Sequence, residues 1–233
     1  MKLLSLNICH GGQRRIERLL GRILGAEADV VVLTEFHRDA SGDKITAALM
    51  ANGYTCSSPE TASPKNNTVM IASRRRFTVV PLVGLSDSDH PRALLAQFEG
   101  FSVFGVYFAQ KEDKRSLFNF IMQQGVPLLG PRGVVTGDFN TGKAFSDETG
   151  RSFYCIDSFE QLEQSGLVDS WRSRNPEARE FSWYSRPWNN GFRIDHIFST
   201  PAMDQAVTRI GYDHLPRTEK ETDHSAMVAE FDL

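Results

Sequence analysis

The sequence predicts an α/β fold in which two mainly antiparallel sheets pack face to face with helices outside. Three observations predict it. Short apolar runs outnumber helical segments, the two kinds of segment alternate along the chain, and several runs are apolar throughout, as strands covered on both faces require. The 233 residues, with 40% hydrophobic and 24% charged, have ordinary globular composition and suit one domain spanning 1–233.

The elements follow in order. Residues 2–8 read as a strand. Ile16, Leu19, Leu20, Ile23 and Leu24 recur on one helical face. Val30-Val31-Val32-Leu33 is a buried strand, and Ser41 is the expected cap of a helix carrying Ile45, Ala48 and Leu49, which Asn52-Gly53 ends. Strands are expected at 68–73, 77–83, 93–99 and 101–108. Leu117, Phe118 and Ile121 mark a helix, Gly133-Val134-Val135-Thr136 a buried strand, and Phe159 with Leu162 a short helix. Strands near 181–184, 192–199, 207–212 and 226–231 close the chain, and 140–151 is the most loop-like segment.

Composition narrows the partners. Lys and Arg total 26 against 29 for Asp and Glu, a formal charge of −3, so there is no bulk positive field for coating DNA or an anionic membrane. Positive charge is local: Arg14, Arg15, Arg18 and Arg22 on the first helix, and Arg74-Arg75-Arg76 at a strand turn. Each cluster reads as a solvated face or as a phosphate contact. No run reaches the roughly 18 apolar residues of a membrane span, and the short apolar start turns polar at once. A cytoplasmic monomer is the expectation. Cys9, Cys56 and Cys155 form no C-x-x-C pair and read as small buried apolar side chains.

Acidic and amide residues fall at strand ends. Glu35 follows Val30–Leu33, Asp138 and Asn140 follow Val134–Gly137, Asn7 sits in the first strand, Asp195 lies within 192–199, and Asp223-His224 precedes the last strand. Buried carboxylates there persist if they share hydrogen bonds or a cation. Oxygen donors without a Cys cluster or H-E-x-x-H favour a hard ion such as Mg2+, with Mn2+ able to substitute. Singly, each has a plainer reading: a cap for Glu35, an Asx-turn for Asp138–Asn140, cross-strand packing for Tyr107. Asp-His occurs four times, at 89, 195, 213 and 223, so the dipeptide alone says little.

The ordered set says more. Leu4-Ser5-Leu6-Asn7, Leu33-Thr34-Glu35, Gly105-Val106-Tyr107-Phe108, Gly137-Asp138-Phe139-Asn140, Asp169-Ser170-Trp171, Phe181-Ser182-Trp183, Gly191–Ile197 and Thr222-Asp223-His224-Ser225 resemble the endonuclease/exonuclease/phosphatase superfamily, most of all its exonuclease III and abasic-site endonuclease branch. The resemblance runs from residue 4 to 225. It implies a four-layer, DNase I-like sandwich with the site at one end of the paired sheets. It also implies metal-dependent phosphodiester hydrolysis by in-line attack of water.

By that resemblance Glu35, Asn7 and Asp223 hold the metal or lie beside it. Asp138 orients or deprotonates the water, and Asn140 holds the water or the phosphate. His224 donates to a phosphate oxygen, Asp195 orients His224, and Tyr107 gives its hydroxyl to the phosphate or the leaving oxygen. Trp183 and Phe192, with Ile194, wall a sugar-sized pocket or simply pack between sheets, and Arg193 is expected at the substrate. His10 and His37 adjoin motif residues and read first as surface or packing residues. Ala109 stands where family nucleases often carry Pro. The expected substrate is DNA; the alternatives are small phosphoesters, inositol phosphates or phospholipid head groups, and a non-catalytic binding module.

Overall fold

The computed structural model describes residues 1–61, 63–64 and 66–233. One six-stranded sheet contains β1 (Lys2–Asn7), β2 (Val30–Phe36), β3 (Thr55–Ser57), β4 (Thr68–Ser73), β13 (Val207–Asp213) and β14 (Ala226–Phe231), in the order β13-β14-β1-β2-β4-β3. The other contains β5 (Thr78–Val80), β6 (Ala93–Phe98), β7 (Phe101–Tyr107), β8 (Gly133–Asp138), β9 (Val168–Asp169) and β12 (Asp195–Ser199), in the order β5-β6-β7-β8-β12-β9. A short hairpin joins β10 (Trp183–Tyr184) to β11 (Gly191–Phe192). The sheets repeat one plan: β1 with β2 and β7 with β8 are parallel, and the other described pairings are antiparallel.

Parallel neighbours need a crossover. Helix α1 (Ile16–Gly25) makes the first, and α3 (Arg115–Phe120) with α4 (Val126–Leu129), joined through a π-helical turn, makes the second. Helix α2 (Ala40–Ala51) lies with α1, and α5 (Ile156–Gln164) with α3. Two short helices, α6 (Pro201–Gln205) and α7 (Leu215–Thr218), complete the described set.

Alternation along the strands sorts side chains into three apolar layers. Leu3, Val30, Val32, Val103, Val134 and Ile197 fill the space between the sheets. Leu4, Leu6, Val31 and Leu33 face α1 and α2. Phe104, Val135, Phe139 and Phe198 face α3 and α5. The result is helix, sheet, sheet, helix. Parity then decides which polar residues meet at the strand ends. Asp138 has the parity of Val134, and Asp195 that of Ile197, so both lie on the inter-sheet side. His196 lies on the opposite face, its ring against Phe139 and Phe159 and its Nε2 2.9 Å from the Thr141 carbonyl.

Several expected boundaries shift. Asp39, not Ser41, caps α2, accepting from the Ser41 and Gly42 amides at 2.9 and 3.2 Å. The strand expected over 77–83 contracts to Thr78–Val80 and that over 181–184 to Trp183–Tyr184. The strand expected over 192–199 breaks at Arg193 and Ile194, which belong to no strand. Arg193 is drawn inward: its guanidinium is fully buried, with Nε 2.6 Å from Asp147 Oδ1 and Nη2 2.6 Å from Asp169 Oδ2. That corrects the expectation that Arg193 binds substrate. It is instead the clamp that joins the 140–151 loop to β9, stacked 5.0 Å from the Trp171 ring.

Burial alone would raise the Asp147 and Asp169 carboxyls, but the Arg193 charge outweighs it and holds both below the usual carboxylate range. The pair therefore stabilises the fold above about pH 4 and loses that contribution as pH falls below the unfolded value. An Arg193→Met variant leaves two buried carboxylates without their partner and should lose about 3–5 kcal/mol in urea unfolding at pH 7. The loss should shrink on acidification.

Candidate active site

The site is a row of residues across each sheet. In the second sheet, Tyr107 pairs in register with Asp138, and Asp138 with Asp195, placing all three side by side at the ends of β7, β8 and β12. In the first, Asn7 pairs with Thr34 next to Glu35. Strict alternation would turn Glu35 towards the helices. A bulge interrupts the β2–β4 register between Thr34 and Phe36, with Glu35 at φ 54°, so its carboxylate joins Asn7 and Tyr107 on the inter-sheet side. Positive φ on a non-glycine residue is strained and typical of functional positions. Gly137 allows the matching approach in β8: a Cβ there would stand 1.9 Å from the Val106 carbonyl oxygen.

Asn7 ties the two rows together. The Cys9 amide donates to its Oδ1 at 2.9 Å, which turns Nδ2 towards Glu35 Oε1 at 3.2 Å and Asp138 Oδ2 at 2.9 Å. Tyr107 donates its hydroxyl to Glu35 Oε1 at 3.3 Å and accepts from Asn67 Nδ2 at 3.1 Å. Asp138 Oδ1 accepts the Asn140 amide at 2.8 Å. The Asn140 side chain is held by the Phe108 carbonyl and Gln110 at 2.8 and 2.6 Å, so it fixes the loop beside Ala109 as well as lining the cleft.

His224 Nδ1 lies 2.8 Å from Asp195 Oδ2, as expected, which leaves Nε2 for the cleft. The Ser182 hydroxyl accepts the Asp195 amide at 3.2 Å, and Tyr212 donates to the Asp195 carbonyl at 2.7 Å. Trp183 Nε1 donates to Asp223 Oδ2 at 3.1 Å. Trp183, Phe192, Ile194, Phe153 and Tyr154 line a cleft of about 560 Å³, with Phe192 against both Trp183 and Phe153, and Glu35, Asp138, Asp223 and His224 also line it.

Charge sets the protonation states. Burial and then the Asp195 charge push the Asp138 carboxyl up to about 7, against the opposing pull of His224. Burial alone would lower His224, but the charge and hydrogen bond of Asp195 overcome it and carry the imidazole up to about 10. Burial is also outweighed at Asp223, which His224 and Trp183 hold below the usual range. The Tyr107 hydroxyl is pushed further up by burial and by Glu35.

This donor set fits a divalent cation. Donor atoms of Asp138, Asp195 and His224 lie within 4.8 Å of one another, and Glu35 and Asp223 face the same cleft. Asp138 is pushed up first by burial and next by the Asp195 charge, so a cation beside it would favour its ionised form. Because His224 Nδ1 is committed to Asp195, the carboxylates of Glu35 and Asp223 suit a hard ion better than the triad itself, with Asn7 orienting Glu35 through its amide.

The endonuclease/exonuclease/phosphatase family profile matches residues 4–224. The chain belongs to that family. It is a hydrolase of phosphoester bonds. Three solved structures cover 100% of this chain and are themselves covered in full. A Neisseria 3′ phosphatase, NExo, bound to product DNA hairpin, is 26% identical with a TM-score of 0.86. The 3′-5′ exonuclease NExo from Neisseria meningitidis is 25% identical, TM-score 0.80. An AP endonuclease from Archaeoglobus fulgidus, 19% identical with a TM-score of 0.84, shares the fold. The two Neisseria neighbours agree with the exonuclease resemblance, and all three with the DNase I-like sandwich.

Other side chains at the site carried no signal in the sequence. Lys114 sits in the polar run Lys111-Glu112-Asp113-Lys114, which reads as solvated; it is almost wholly buried, donates to the Asn140 carbonyl, and burial brings its ammonium down to about 8. Asn67 and Ser182 are ordinary polar residues until the fold sets them against Tyr107 and Asp195. The basic clusters are largely used internally: Arg22 on Glu219 and Glu221, Arg15 on the Cys9 carbonyl, Arg18 on the Lys220 carbonyl, Arg74 over Tyr54 and Arg75 over Phe101. No helix among the described residues is long and apolar enough to cross a membrane.

Removing the Asp195 charge leaves burial to act on His224 unopposed by its main partner. In an Asp195→Asn variant the imidazole, followed by NMR titration, should fall from about 10 towards or below the free value of about 6.5.

Proposed function

We propose that the protein is a Mg2+-dependent nuclease that cleaves phosphodiester bonds in DNA, acting in the manner of exonuclease III and abasic-site endonucleases. The observation that carries this reading is the meeting of Asp138, Asp195 and His224 in one buried cluster beside a wall of Trp183, Phe192 and Ile194. A water-activating carboxylate and a phosphate-binding imidazole thus adjoin an apolar surface suited to a sugar or base. The Neisseria neighbour described as bound to a DNA hairpin supports the choice of DNA.

In this reading Asp138 holds the attacking water and takes its proton. Its Oδ2 is positioned by Asn7 and its Oδ1 by the Asn140 amide. Charged His224 gives its Nε2 proton as a hydrogen bond to a non-bridging phosphate oxygen, and Asp195 keeps the ring charged and oriented. The Tyr107 hydroxyl, held by the Asn67 amide, stays neutral and turns its proton from Glu35 to the reacting phosphate or the leaving oxygen. Glu35, oriented by the Asn7 amide, with Asp223 across the cleft, would hold a divalent cation, which supplies charge to the phosphate oxygens when bound. Trp183 and Phe192 exclude water and seat the adjoining sugar.

One acid or base typically contributes roughly 10²–10⁴ in rate. Asp138→Asn and His224→Ala should therefore lose activity on that scale while remaining folded by circular dichroism. A panel of plasmid, abasic-site oligonucleotide and bis-p-nitrophenyl phosphate, each with and without EDTA, tests the substrate. DNA cleavage abolished by EDTA supports the proposal. Hydrolysis of the small ester alone points to a small-phosphoester enzyme, a reading the net charge of −3 favours.

The pH profile has a definite sign. Asp138 must be deprotonated and His224 protonated, so kcat/KM should rise on a limb at or below about 7 and fall through about 10. A bound cation moves the acidic limb further down.

A further inference from the structure

Residues 9–13 follow the Asn7 strand with five successive positive φ angles: 52° at Cys9, 52° at His10, 70° at Gly11, 72° at Gly12 and 42° at Gln13. Three of these are not glycine, so the turn is held against its own preference. What holds it is largely Glu35. The Gly11 amide donates to the Glu35 carbonyl at 2.8 Å, and the His10 amide donates to Glu35 Oε2 at 2.8 Å. The turn folds the His10 ring back over that carboxylate, with Nδ1 3.2 Å from Oε2.

Two donors at right angles on one metal ion, each about 2.1 Å away, stand about 3.0 Å apart. The spacing of His10 Nδ1 and Glu35 Oε2 suits neighbouring ligands as well as the ion pair the two form without a cation. Each of the other two imidazoles nearby has one ring nitrogen engaged away from Glu35. His37 Nε2 is 2.7 Å from Asn67 Oδ1, and His224 Nδ1 is on Asp195. His10 is 61% exposed at the cleft mouth, and its ring is paired with the Glu35 carboxylate.

We infer that His10 is a nitrogen ligand to the cation held at Glu35, and that it adds affinity for first-row transition ions while leaving Mg2+ binding little changed. The inference rests on the cation site proposed above. An all-oxygen set suits Mg2+, whereas an imidazole donor strengthens binding of transition ions and adds little for Mg2+. The strained turn thereby acquires a purpose, since two backbone hydrogen bonds to Glu35 bring the imidazole to the carboxylate without a long flexible side chain.

Pulsed EPR of Mn2+ bound to the full chain tests this without reference to turnover. Directly coordinated 14N should modulate the wild-type echo and vanish in His10→Asn, a substitution that tolerates the left-handed backbone. It should persist in His37→Gln. Isothermal titration should show Mn2+ affinity falling at least about tenfold in His10→Asn, the scale on which even outer partners of a metal act, with Mg2+ affinity little changed. Mn2+ that binds without 14N modulation, or modulation that survives His10→Asn, overturns the assignment of His10 while leaving the Glu35 site intact. Absence of saturable Mn2+ binding in the wild type overturns both.

Discussion

Two carboxylates placed directly opposite each other on neighbouring strands repel, and Asp138 and Asp195 are such a pair, buried and in register at the ends of β8 and β12. Like charges so placed destabilise a sheet. The fold tolerates them because each has its own compensation. Asp195 is neutralised by His224 and anchored through its backbone by Ser182 and Tyr212. Asp138 has amide donors from Asn7 and Asn140 but, among the described residues, no cation of its own within hydrogen-bond reach. Burial first, and the Asp195 charge after it, displace its carboxyl upward, so its ionised form stands as an uncompensated negative charge. The water activation and cation binding proposed above both draw on that imbalance.

The rest of the molecule keeps the imbalance in place. Two sheets built on the same plan bring their parallel central pairs together, so that the ends of β1 and β2 face those of β7 and β8. Apolar layers on both sides of each sheet fix the register, because a one-residue slip would send Asp138 and Asp195 to the helix side. The Arg193 clamp locks the loop after β8 to β9. This divides labour between neighbours in sequence: Arg193 is structural, Ile194 walls the cleft and Asp195 orients the imidazole.

Much of this was legible in the chain because period-2 alternation is strict in the central strands. It places Asn7, Tyr107, Asp138 and Asp195 on one side, and the ordered motifs name the family that the profile over 4–224 shows. Glu35 was legible as a residue but not as a geometry, since a bulge breaks the alternation at that point. Arg193 misled because a charged residue among aromatic and acidic neighbours looks like a ligand-binding group. Its two carboxylate partners lie 46 and 24 positions away and only the fold unites them. Lys114, Asn67 and Ser182 act through single long-range contacts, which leave no periodic trace. The short strands β3 and β9 bury too few residues to show a pattern. Of the cysteines, Cys155 is buried as expected, whereas Cys9 and Cys56 are half-buried.

Ionised Asp138 costs the fold stability, and in the proposed mechanism a bound cation would relieve that cost. An acid whose folded pKa is raised penalises the fold increasingly as pH climbs from about 4 to about 7, and fully above that. The direct measurement is urea unfolding at pH 8 of the wild type and Asp138→Asn, with EDTA and with Mg2+. In EDTA the inactive variant should be the more stable protein, and Mg2+ should stabilise the wild type more than the variant. A variant less stable than wild type in EDTA, together with equal responses to Mg2+, would contradict the account.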